Sequence, residues 1–89
     1  LKVFVVIAEA MRGLHFVSVH RARPIVSDSN AAHQVTVVGQ QVDPDVVYIA
    51  QTYDRSMDIH NFAGVYGNYD DARSASGQKG STLQVKIAA

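Results

Sequence analysis

Cysteine and tryptophan are both absent from the chain. Without cysteine there can be no disulfide framework, thiol nucleophile or cysteine-ligated metal. Charge of one sign is also missing, since eight Lys and Arg balance eight Asp and Glu. A nucleic-acid binder is expected to carry a basic excess, so partners of that kind are disfavoured. No apolar run approaches the ~18 residues of a membrane span. Residues 1–10 lack the basic leader of a signal peptide, and their Val and Phe content reads as a strand. Together these absences lead to the expectation of a cytoplasmic protein with no membrane contact.

What is present is apolar and β-branched. The 89 residues are 47% hydrophobic and only 18% charged, a composition that folds rather than stays disordered. That length makes one domain, 1–89, burying only about 60–65% of its unfolded surface. So small a core, together with open strand edges, leads to the expectation of a homodimer.

The run Val46-Val47-Tyr48-Ile49-Ala50 is apolar on both faces and reads as a central strand. Turn signals flank it, Asp43-Pro44-Asp45 before and Asp54-Arg55-Ser56 after. Asn61 to Tyr66 follows as its hairpin partner, with Gly64 marking a bulge. Strict alternation puts Phe62, Gly64 and Tyr66 on one face and Ala63 and Val65 on the other. Asn68 then caps a short helix that has Asp70 and Asp71 in its first turn and Gly77 at its end. Thr82 to Ile87 closes as a strand with Leu83, Val85 and Ile87 inward.

The first half reads as a weaker copy. Lys2–Glu9 is a central strand, Met11-Arg12-Gly13 a turn and Leu14–Arg21 its hairpin partner. Residues 23–34 are either a loop or a brief helical turn through Ala31 and Ala32, and Gln34–Gln41 is a third strand. Val5, Ile7 and Ala8 match Val47, Ile49 and Ala50 at a spacing of 42 residues. Phe16 and Val19 match Phe62 and Val65 at 46, and Val37 matches Val85 at 48. The fold class is therefore α+β: a mainly antiparallel five- or six-stranded sheet with one or two short helices. A duplicated strand-strand-helix-strand unit is one reading of it, with halves 1–42 and 43–89. The halves differ in charge. Residues 1–42 carry four basic against two acidic groups, and residues 43–89 four basic against six acidic.

The stretch from Phe62-Ala63-Gly64-Val65-Tyr66 to Asn68-Tyr69-Asp70-Asp71-Ala72 resembles small uncharacterised proteins of bacteriophage and mobile-element genomes. Those carry a strand ending in Gly-Val-aromatic, then a helix opening with acidic residues and Ala. The resemblance covers Val46 to Ala75. It implies an accessory binding protein of a bacterial host's cytoplasm, and it assigns no site residues.

Candidate chemistry is sparse. His15 and His20, five residues apart, fall on opposite faces of an unbroken strand and cannot share a metal. His33 reads as a loop residue. The segment from Asp54 to Asp58 opens like a calcium loop, but Ile59 stands where Gly is needed and Val65 where Glu is needed. Ser56, Asp58 and His60 fall on one side of an extended turn, the one nucleophile-like grouping. It is local, whereas triads assemble from distant segments, so the chain reads as a non-enzyme without cofactor or metal. Tyrosines make rigid interface anchors. Tyr48 and Tyr66 are assigned to the core, and Tyr53 and Tyr69 to a partner surface. Asp54 and Asp58, with no evident structural task, join them. Arg12, Arg21 and Arg23 are candidates for an acidic partner, or for a nucleotide or nucleic acid as a third reading. The leading expectation is a protein-interaction module that occupies a partner surface. The alternative is a structural or assembly protein of virion type.

Overall fold

The computed structural model describes residues 1–10 and 13–88, and for Ala10 the backbone alone. The Met11-Arg12-Gly13 turn and the candidate Arg12 therefore lie outside the described residues, apart from Gly13. Six strands and one helix follow in chain order: β1 (Lys2–Ala10), β2 (Gly13–His20), β3 (Asn30–Thr36), β4 (Val46–Asp54), β5 (Ile59–Tyr66), α1 (Tyr69–Ser76) and β6 (Ser81–Lys86). The α+β class holds, but the strands form two antiparallel sheets of three and not a single sheet. Their orders are β2-β1-β3 and β5-β4-β6, so β1 and β4 are both central, as their two apolar faces require.

The two sheets have the same plan. In each, a hairpin is followed by a strand that returns antiparallel to the hairpin's first strand on its free side. Each hairpin carries one bulge at the equivalent place. Register slips between Val6 and Ile7, leaving Val17 as the extra residue, and between Ala50 and Gln51, leaving Ala63 extra. Matching the registers relates β1 to β4 at a spacing of 44 residues (Val3 to Val47). It relates β2 to β5 at 46 (Val19 to Val65) and β3 to β6 at 50 (Val35 to Val85). The spacing of 46 is the one legible in the sequence. The values of 42 and 48 were each two residues short, a slip that preserves face alternation and so hides in an apolar run.

The sheets close on each other through reciprocal bridges. After β3, Val38 pairs in parallel with Tyr66 of the other sheet; after β6, Ala88 pairs in parallel with His20. The amide of Val38 donates to Val65 O (3.0 Å) and that of Gly67 to Val38 O (2.9 Å). The counterparts run from Ala88 N to Val19 O (2.9 Å) and from Arg21 N to Ala88 O (3.0 Å). Val37 N donates to Leu1 O, and its counterpart Ile87 N to Asp45 O, both at 2.8 Å. Every one of these bonds has a mate under the same spacings, which defines a pseudo-twofold body.

The core lies between the sheets and is wholly Val and Ile: Val3, Val5, Ile7, Val19 and Val37 against Val47, Ile49, Val65 and Ile87. Phe16, Val35, Phe62 and Val85 pack around it. The bulges explain why strict alternation misplaced residues. One extra residue reverses the parity, so Phe62 and Val65 face the core together, as do Phe16 and Val19. Tyr48 and Tyr66 are not in this core. They pair across the outer face of the second sheet, half-buried, and the Tyr69 ring stands edge-on to Tyr48 at 6.1 Å. Leu83, expected inward, is 38% exposed beside buried Ile87.

The outer faces are covered differently. Over the second sheet lies α1, which buries Ala72 above Ala50 and the strand ladder. The Asn68 side chain caps it by accepting from Asp71 N (2.9 Å) and donating to Gln40 O and to Asp71 Oδ2, both at 3.0 Å. At the other end Arg73 donates to Gly77 O, and Gly77 turns the chain at φ +77°. Ser76 is buried, its hydroxyl 2.8 Å from Ala72 O and 2.9 Å from Ser81 O. The first sheet has no second helix. Residues 21–29 bend at 21–22, have no regular structure over 23–27 and turn at 28–29, with the Arg23 guanidinium 4.8 Å over the Phe4 ring. Ala31, Ala32 and His33 belong to β3, because pairing with Ile7, Val6 and Val5 satisfies their backbone over a full ladder.

Gly64 has φ +152° at the bulge, and a Cβ there would lie 3.1 Å from the Tyr66 ring. Gly64→Val should therefore cost about 1–3 kcal/mol, read as a lower denaturation midpoint with an unchanged m-value. Asn68→Ala should cost about 1 kcal/mol through the lost cap. A wild-type midpoint in either variant would contradict the assignment.

Candidate functional site: the tip of the second hairpin

Three of the surface residues expected from the sequence converge at the β4–β5 turn. Tyr53, one residue before the end of β4, pairs with His60, and the two rings lie 5.2 Å apart, tilted by 50°. The Tyr53 hydroxyl donates to Asp58 Oδ1 at 2.6 Å across the turn. Asp58 reaches it because its backbone takes φ +55°, a left-handed conformation that Asp tolerates better than most residues. Asp54 Oδ1 accepts from Ser56 N (3.0 Å), Ser56 Oγ (2.7 Å) and Met57 N (3.4 Å). This is an Asx turn, and the Asp-Arg-Ser sequence carried its signature.

Both aspartates thus have a structural task, contrary to the expectation. Asp54 holds the turn and Asp58 holds Tyr53. The same bonds dissolve the nucleophile-like grouping. Ser56 Oγ donates a hydrogen bond to Asp54, Asp58 accepts from Tyr53, and His60 packs against the Tyr53 ring. The turn thus presents an aromatic face, a phenol and two carboxylates held by hydrogen bonds within the turn.

Electrostatics follow from these bonds. The Tyr53 phenol is pushed above its ordinary value, first because it donates to the Asp58 carboxylate and then by desolvation and the nearby negative charges. The Asp54 carboxyl is held below the ordinary carboxylate range, chiefly by the Ser56 hydroxyl, with the Met57 and Ser56 amides adding to it.

The other candidates lie elsewhere. Tyr69, 52% exposed, sits with Asp70 and Asp71 at the start of α1, beyond the far end of β5 from Asp58. The acidic residues therefore form two patches. Arg21 donates to Pro44 O (2.9 Å) and to Asp45 Oδ1 (2.6 Å), and Arg23 covers Phe4. Both serve contacts within the chain, which weakens the Arg-bearing hairpin as a phosphate site. The bulge also corrects the histidine geometry. His15 and His20 pair with Ala8 and Phe4, which share one face of β1. Four residues of strand, about 13 Å, separate them, and His20 lies 2.7 Å from Ser18 Oγ. Among the described residues no group of three or more His, Asp or Glu is arranged to hold a metal ion. Among the described residues no helix is long and apolar enough to cross a membrane. No protein-family model, curated protein or solved structure matches the chain.

Two pH effects follow. A raised phenol pKa means that the Tyr53–Asp58 bond favours the fold below the ordinary phenol value near 10 and loses that contribution as pH rises through the folded value. In an absorbance titration, the phenolate signal that Tyr53→Phe removes should appear at a higher pH in the unmodified chain than in Asp58→Ala. For Asp54 the sign is opposite: its contribution is present above the ordinary carboxylate pKa and fades as pH falls through the depressed one. Asp54→Ala should lower the melting temperature at pH 7 and make less difference at pH 2. An equal difference at both pH values would show that the carboxylate does not hold the turn.

Proposed function

We propose that the chain is a small non-enzymatic protein-interaction module, of phage accessory or inhibitory type, that acts by occupying a partner's surface with the tip of its second hairpin. The observation that carries this reading is the pre-ordered tip: Tyr53, Asp54 and Asp58 are already held by hydrogen bonds within the turn. Ordering side chains on binding costs about 0.5–1.5 kcal/mol each, so a fixed tyrosine and its carboxylates meet a partner at lower entropic cost. The negative patch selects a basic partner surface. A structural or assembly role is the second reading. It is favoured by the apolar side chains exposed along the connections, Ile25 above all, with Val38 and Val42.

The test is affinity capture on the immobilised chain, followed by titration of the captured protein. Tyr53→Ala with Asp58→Ala should weaken binding by roughly tenfold or more, the scale of a truncated anchor. Asp70→Ala with Asp71→Ala, at the distant patch, should leave binding unchanged while lowering stability by about 0.3–1 kcal/mol per charge. Equal binding by both variants would remove the hairpin tip as the contact surface. Recovery only in large assemblies would favour the structural reading.

A further inference from the structure

The contact between the two halves has the form of a contact between two subunits. An isologous interface is one in which each contact recurs with the partners' roles exchanged. Here Val38 N to Val65 O recurs as Ala88 N to Val19 O, and Gly67 N to Val38 O as Arg21 N to Ala88 O. The buried side chains obey the same exchange, with Val3, Val5, Val19 and Val37 standing where Val47, Ile49, Val65 and Ile87 stand. Neither half is a finished body. Each is a three-stranded sheet whose Val- and Ile-bearing face must be covered, and here the other half covers it.

We infer that this face is a dimer interface closed within one chain, and that a second copy of the chain can supply either half. In the exchanged dimer, residues 1–38 of one copy close on residues 45–88 of the other, and reciprocally. Two complete six-stranded bodies result, with all of the bridging bonds made. Nothing in the face between the halves needs the covalent connection. The connection, 39–44, is tied to the second half through Val42 N to Gly67 O and Asn68 Nδ2 to Gln40 O, to the first through Arg21 to Pro44 O, and to itself through Gln41. Beyond these bonds, it sets how often the two halves of one chain meet. A short flexible connection gives an effective concentration on the order of millimolar. Closure within the chain therefore wins at micromolar concentration, and exchange competes when the chain refolds near millimolar. Folded monomer does not convert on mixing, because exchange requires the shared core to open. This inference is independent of the hairpin-tip surface, which lies intact in either form.

The absence of cysteine supplies the test. His20→Cys with Ala88→Cys places one thiol on each strand of the bridge between the halves, residues that pair directly. Neighbouring strands of this kind bring Cα atoms within disulfide range. The full-length variant is unfolded in denaturant, refolded at about 10 μM and at about 1 mM, oxidised, and run without reductant. The expected result is a disulfide within one chain at the low concentration and a covalent dimer, several-fold enriched, at the high one. Light scattering of the unmodified chain, refolded the same way, should give a dimer that persists on dilution and returns to monomer after unfolding and refolding at about 10 μM. If the variant fails to fold, this second measurement decides. A monomer under every condition, a dimer that dissociates rapidly on dilution, or a dimer whose disulfide stays within each chain would overturn the inference. The last of these would indicate edge-to-edge association.

Discussion

A three-stranded sheet with valine and isoleucine along one face cannot remain open to water. Each fully buried side chain of this size is worth about 1.5–3 kcal/mol relative to exposure. The nine that form the core come from both sheets. Everything else follows from how those sheets are joined. The third strand of each sheet runs past its own hairpin and bonds the hairpin of the other, so the backbone itself sets how the sheets lie. The halves also differ in what covers their outer faces. One has a capped helix over β4, and the other an irregular segment with Arg23 over Phe4.

The same joining places the candidate surface. The bulge at Ala63 lets β4 and β5 keep Val65 and Phe62 on the core while the hairpin continues to its turn. At that turn the backbone conformation of Asp58 and the Asx turn of Asp54 fix Tyr53. At the other end of β5 the cap of Asn68 ties α1 to the connection between the halves through Gln40. The two acidic patches are therefore separated by the strand that carries the core, and each is tied to it by its own hydrogen bonds.

Much of this was legible before the structure, for identifiable reasons. Central strands announce themselves by apolar residues on both faces, and β1 and β4 did so. The helix was legible because Asn68, the aspartates and Gly77 each act within one turn of its ends. What failed depended on contacts far apart in the chain. Two separate sheets instead of one, and the strand status of Ala31 to His33, are decided by pairing with β1. The facing of His15, Phe16 and Tyr66 turned on single bulge residues, and only Gly64 hinted at one of them. Asp54 was the avoidable miss, since its turn signature is local. The Tyr53–Asp58 bond was not readable, because it requires the left-handed backbone at Asp58.

The central claim is that the reciprocal bridges, and not apolar contact alone, make the two sheets one cooperative body. Native-state amide hydrogen exchange tests it directly, at the four amides of Val38, Gly67, Ala88 and Arg21. The account predicts that these exchange with the same opening free energy as the central amides of β1 and β4, through unfolding of the whole chain. Exchange of all four by local opening, while both sheets remain protected, would contradict it.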